Sequence, residues 1–148
     1  MSEYEDRQDI SDVLVRYATG IDRRDWTLLR TVFTDDCDLD YGSIGTWHGI
    51  DAVTEFMTQS HAAAGHTLHR LSNQAIAVDA DTAEARTYVD GLIMAPANDS
   101  GVNAVGHYDD HLGRTPDGWR IAGRRFTVVR ISSVGIVANV STAGGDAA

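Results

Sequence analysis

The apolar positions of this chain fall first at helical spacing and later at strand spacing. Ile10, Val13, Leu14, Tyr17, Ala18 and Ile21 recur every three or four residues, with Asp9, Asp12 and Arg16 on the other face. That spacing predicts an amphipathic helix from about Glu5 to Ile21. Asp25 is placed to cap a short second helix, Trp26 to Phe33, burying Trp26, Leu29 and Phe33. Thr34-Asp35-Asp36 is read as the break after it. Cys37 to Tyr41 and Ile44 to His48 read as two short strands around Gly42-Ser43. Gly49 and Asp51 introduce a third helix, Ala52 to about Ala63, with Val53, Phe56 and Met57 inward.

The period then changes. Thr67 to Val78, Thr82 to Met94, Val102 to Gly113 and Trp119 to Ser132 are long strand-like runs. Asp79-Ala80-Asp81, a polar loop from Pro96 to Gly101, and Arg114-Thr115-Pro116-Asp117-Gly118 separate them. Helices segregated from a run of hairpins indicate an α+β fold with one curved, mostly antiparallel sheet. N-terminal helices on its concave side would enclose a cone-shaped pocket. We find no internal repeat and no second domain, so one domain is expected over 1–148. Within it, 134–148 form a tail. The apolar start of that tail (Val134, Ile136, Val137, Val140) is expected against a neighbouring subunit, and its Gly-rich end disordered.

Composition narrows the function classes. A chain of 148 residues is long enough for one sizeable core. A formal net charge of −10 argues against nucleic acid and anionic membrane surfaces as partners. No apolar run reaches membrane-spanning length, and the acidic start lacks the apolar stretch of a signal peptide, so a cytoplasmic protein is expected. Cys37 is the only cysteine, which excludes an internal disulfide. Its neighbours Asp35, Asp36, Asp38 and Asp40 disfavour a thiolate nucleophile, leaving a strand cysteine. The same carboxylates lack calcium-loop spacing and its closing Glu. His61, His66 and His69 straddle a helix-to-strand break without metal-site spacing, so no metal is expected. No phosphate loop or dinucleotide fingerprint is present, and no cofactor is expected.

The candidate chemistry lies in two separated residues. At period 2, His69, Leu71, Asn73 and Ala75 share one strand face, which suggests a pocket wall with polar groups aimed inward. Asp22 closes the first helix, where the macrodipole disfavours a carboxylate, so another partner is implied. If Asp22 meets His69, the pair is a carboxylate-oriented imidazole suited to moving a proton near neutral pH. Tyr17, one turn earlier on the inward stripe, needs a partner for its hydroxyl: a ligand or a neighbouring polar group. His107 and Tyr108 alternate faces, as do Arg124 and Arg125, so one of each pair points into the cone.

Four stretches carry a resemblance: Tyr17-Ala18-Thr19-Gly20-Ile21-Asp22 with Trp26, Phe33-Thr34-Asp35-Asp36, Gly45-Thr46-Trp47-His48-Gly49, and Asp117-Gly118-Trp119-Arg120-Ile121 with Arg124. Together they resemble the nuclear-transport-factor-2-like superfamily, in its SnoaL-like branch, which includes scytalone dehydratase and hexachlorocyclohexane dehydrochlorinase. The resemblance covers about Glu5 to Ser132. It implies a catalytic Asp at Asp22, a catalytic His at His69 followed by Asn73, and a pocket arginine at Arg124. The chain departs from the dehydrochlorinase at Tyr17, where that enzyme has Lys. It also lacks the second pocket His that scytalone dehydratase carries one strand later.

The leading expectation is a cofactor-independent lyase or isomerase acting on a small, mostly apolar cyclic molecule. His69 would abstract a proton and Asp22 would orient it. Tyr17, Asn73, Tyr108 and Arg124 would bind the substrate. Two rivals share the fold: a non-catalytic binding or assembly domain, and the small subunit of a ring-hydroxylating dioxygenase. The resemblance also implies a homo-oligomer, a dimer or trimer, through the open sheet face.

Overall fold

A computed structural model of the chain describes residues 1–135. The first helix, α1 (Glu3–Arg23), starts at a capping box: Ser2 Oγ accepts from the Glu5 N–H at 3.2 Å, and the Ser2 N–H donates to Glu5 Oε2 at 2.6 Å. Its buried stripe is Ile10, Val13, Leu14, Tyr17, Ala18 and Ile21, as the spacing predicts. Arg24 ends it in the left-handed region (φ 55), its N–H bonding the Gly20 and Ile21 carbonyls. The helix α2 (Trp26–Arg30) is shorter than expected, with Asp25 Oδ1 accepting from the Leu28 N–H at 2.9 Å.

The chain then enters β1 (Phe33–Asp40), so Phe33 to Asp36 belong to a strand and not to a helix end. The run Thr31-Val32-Phe33-Thr34 is β-branched and aromatic, which suits a strand. It is also fixed by parallel pairing, Phe33 opposite Ile121. A short 3-10 turn at Gly42–Ile44 leads into β2 (Thr46–His48), and α3 (Ile50–His61) follows. A Cβ at Gly45 would lie 2.8 Å from the Trp47 indole, and φ there is 147°, so only glycine fits the turn.

Four long strands complete the chain: β3 (Thr67–Asp79), β4 (Thr82–Met94), β5 (Ser100–Thr115) and β6 (Gly118–Gly135). All six strands form one sheet in the order β2-β1-β6-β5-β4-β3, antiparallel except where β1 meets β6. Register shifts at Ser72/Ala75, Val105/Gly106 and His111/Leu112 bend it. The helix α1 packs on β3 and β6, and α3 on β1, so the helices occupy the concave side. This is the α+β cone expected from the sequence. The N-terminus is tied to the last hairpin: Arg114 donates twice to Asp6, at 2.8 and 3.0 Å, and Trp119 Nε1–H donates to Asp6 at 3.0 Å. These bonds hold the Asp6 carboxyl down to about 2. Residues 134 and 135 continue β6; the expected subunit packing and disorder of the tail concern 136–148, outside the described residues.

Candidate functional site

The end of α1 is fastened to the start of β3. Arg24 Nη1 donates to the Ile21 carbonyl at 2.9 Å and to Thr67 Oγ1 at 2.7 Å, while Nη2 donates to the Gly65 carbonyl at 2.7 Å. The Thr67 hydroxyl in turn donates to Asp22 Oδ1 at 3.0 Å. Asp22 therefore arrives beside His69 already aligned. The His69 backbone N–H donates to Asp22 Oδ2 at 2.9 Å, and His69 Nδ1 lies 2.7 Å from Asp22 Oδ1. A carboxylate accepts only, so the proton sits on Nδ1 and Nε2 presents a lone pair. Burial raises the Asp22 carboxyl, but the bonds from the His69 ring, the His69 backbone and Thr67 outweigh it, leaving the group below its ordinary range. The His69 side chain is only 9% exposed.

His69 faces a cavity of about 310 Å³. Its wall combines Tyr17 of α1, Tyr41 after β1, Phe56, Met57, Ser60 and His61 of α3, and Val89, Gly91 and Ile93 of β4. Val102, Ala104 and Tyr108 of β5 and Phe126 and Ile131 of β6 close the far side. Gly91 lies against His69: a methyl built on it would be in ordinary contact with the ring, 3.7 Å from Cδ2 and 3.9 Å from Nε2.

Polar groups on this wall are few. Tyr17 and Tyr41 join their hydroxyls at 3.0 Å. Two hydroxyls hold two protons and their shared bond uses one, so one O–H remains for a ligand. Burial, reinforced by the neighbouring Tyr17, pushes the Tyr41 and Tyr108 phenols far above their ordinary range, keeping both as neutral donors. Tyr17 thus takes a neighbouring polar partner, one of the two alternatives open in the sequence.

Two expected substrate contacts are displaced. Asn73 lies at the β3 bulge with φ 51° and is exposed. The bulge switches parity: His69 and Leu71 turn inward before it, Gln74 and Ile76 after it. Asn73 therefore does not line the cavity. Arg124 does face inward, but it is 3% exposed and forms a double bond pair with Asp110, at 2.7 and 2.9 Å. Its guanidinium lies 4.2 Å from the Tyr17 ring and 3.9 Å from the Tyr108 ring. It supports the tyrosines from beneath and pairs with neither Asp22 nor the cavity. Nη1 has no hydrogen-bond partner among the described residues and is left to those aromatic faces.

Sequence reasoning passed over Tyr41, His61, Arg24 and Asp110. Tyr41 was readable from the alternation Cys37, Leu39, Tyr41, all buried. His61 was readable from the spacing Val53, Met57, His61 on one face of α3. Arg24 and Asp110 carry no sequence signal without the register Asp110 opposite Arg124 and the α1–β3 contact.

Other clusters are already partnered. His48 pairs with Asp38 at 2.7 Å and His111 with Glu84 at 2.6 Å in an open depression outside the cavity. Cys37 is fully buried, and burial together with Asp38 pushes its thiol up to about 11. Among the described residues, no three His, Cys, Asp or Glu side chains converge as a metal site needs, and no helix is long and apolar enough to cross a membrane.

The family model for the SnoaL-like domain matches residues 2–125. The chain belongs to this family. The SnoaL-like chain is 35% identical to the uncharacterised Mycobacterium tuberculosis protein Rv2910c over 129 residues, 84% of this chain and 86% of that protein. Among solved structures it is similar to a suggested aromatic ring hydroxylase of Novosphingobium aromaticivorans (29% identity, TM-score 0.83, 90% of this chain and 96% of that one). It shares its fold with hexachlorocyclohexane dehydrochlorinase LinA-type3 of Novosphingobium barchaimii at 18% identity, TM-score 0.78, covering 86% and 89% of the two chains.

Proposed function

We propose that this SnoaL-like protein is a cofactor-independent lyase or isomerase that moves a proton on a small, mostly apolar cyclic molecule. His69 Nε2 removes a proton from carbon next to an activating group, and Asp22 fixes the tautomer and stabilises the imidazolium that forms. The free O–H of the Tyr17–Tyr41 pair donates to the oxygen that gains charge. The observation that carries this reading is the 2.7 Å contact between Asp22 Oδ1 and His69 Nδ1 beside an apolar cavity. Elimination is favoured over isomerisation because the residue pattern at Asp22 and His69 resembles that of the two eliminating enzymes most closely.

The test is a product screen over hydroxylated and halogenated cyclic compounds with wild type and His69→Ala. Loss of water or halide, or a shifted double bond, is expected from wild type alone, with the variant still folded by circular dichroism. Full turnover by His69→Ala contradicts the proposal.

A second reading draws on the similarity to a suggested ring hydroxylase. In it the chain is an accessory small subunit that needs a partner polypeptide. That reading expects a co-purifying partner and no effect of His69→Ala on the partner's activity. We further propose that the protein works in the cytoplasm as a homo-oligomer.

A further inference from the structure

His61 is a second imidazole in the cavity, and it comes from a different element than His69. It stands at the end of α3, continuing the buried positions Val53 and Met57. Its Nδ1 lies 2.8 Å from the Met57 carbonyl oxygen and 3.0 Å from Ser60 Oγ. A carbonyl oxygen only accepts, so Nδ1 carries the proton and Nε2 the lone pair. His69 has the same tautomer, set by Asp22. The two rings are 6.5 Å apart, centroid to centroid, and both line the cavity. Among the described residues the side-chain hydrogen bonds of both histidines are made at Nδ1, and neither Nε2 has a partner. The cavity therefore offers a ligand two imidazole acceptors where proton abstraction needs one.

We propose that His61 is a ligand-binding residue whose Nε2 accepts from a ligand hydroxyl, so that the cavity selects hydroxylated cyclic compounds over halogenated or methoxylated ones of the same shape. A halogen or an ether oxygen brings no proton and sets lone pairs against a lone pair. Burial holds the His61 imidazole below its ordinary range; the Met57 carbonyl opposes this, while Arg24 and His69 add to it. His61 therefore stays neutral and accepting at pH 7. The proposal deepens the proton-transfer reading and rests on it only in taking the ligand as a substrate: the C–H faces His69 and the O–H faces His61.

The test is equilibrium dialysis of the purified full chain with 2-naphthol, 2-methoxynaphthalene and 2-chloronaphthalene. Wild type is expected to prefer 2-naphthol by about five- to tenfold, the effect of one hydrogen bond. In His61→Phe that preference should fall to about one while 2-chloronaphthalene still binds. No preference in wild type, or an unchanged preference in His61→Phe, overturns the proposal. Nitrogen-15 spectra of wild type remove the dependence on a folded variant. The His61 Nε2 resonance is expected to move on adding 2-naphthol and not on adding 2-chloronaphthalene; an unmoved resonance overturns the proposal. Because this readout is binding, it stays measurable if no compound is turned over. Failure of hydroxyl recognition and failure of proton transfer are thus distinguishable.

Discussion

At Asp22, burial works against the charged carboxylate, and bonds from His69 and Thr67 more than offset it. Because the folded-state value is lowered, the carboxylate's contribution to stability is present above the ordinary carboxylate range and lost as pH falls through it. The stability difference between wild type and Asp22→Asn, measured by denaturant unfolding, should therefore shrink as pH drops below about 4. At pH 7 the same variant should lower the rate of proton transfer by about two to four orders of magnitude, since the imidazole loses its orienting acceptor. An unchanged rate would detach Asp22 from the chemistry. The apolar spacing placed Asp22 and His69 at element ends, but their meeting stayed a condition in the sequence, with their roles implied by the resemblance. Arg124 was only half legible. Period 2 leaves Arg124 and Arg125 as alternatives and the resemblance selects Arg124, but its pairing with Asp110 needs the β5–β6 register, which no local pattern carries.

Among the elements, β4 was read with the same ends the structure shows, Thr82 and Met94, because turn residues bound it on both sides. The start of β1 was misread as the end of a helix, since its parallel pairing with β6 joins residues almost ninety positions apart. Asn73 was misplaced for a related reason. Strict alternation predicts it inward, and a bulge that no single residue announces turns it out. Asn73 holds φ 51°, which asparagine and glycine tolerate and β-branched residues do not. Asn73→Gly should therefore leave proton transfer and stability close to wild type. Asn73→Val should cost about 1–3 kcal/mol in denaturant unfolding. A selective loss of activity in Asn73→Gly would restore this residue to the site.

On the scale of the whole molecule, the Arg124–Asp110 ion pair is buried behind the cavity-lining Tyr17 and Tyr108. Burial pushes the Asp110 carboxyl upward against the pull of Arg124, whose removal would leave an unpaired charge. Arg124→Met should cost about 3–5 kcal/mol by denaturant unfolding, with much of it recovered in the double variant Arg124→Met/Asp110→Leu. Recovery of stability without recovery of activity would show a direct role for the guanidinium in the cavity.

The outer surface of the sheet exposes Leu68, Tyr88, Val105 and Val129 on four successive strands. That face is the surface proposed for self-association. Tyr88→Glu with Val129→Glu should lower the mass measured by light scattering; an unchanged mass would place any interface elsewhere.

The central claim is that His69 takes a proton from carbon. It is tested most directly by incubating activated cyclic compounds in deuterium oxide and following loss of the C–H bond by NMR, as deuterium uptake at carbon or as the unsaturated elimination product, with wild type and His69→Ala compared. Either signal with wild type, lost in His69→Ala while the 2-chloronaphthalene affinity is retained, is the expected result. Equal reaction by both proteins, or neither signal with wild type on compounds it is shown to bind, would contradict the account.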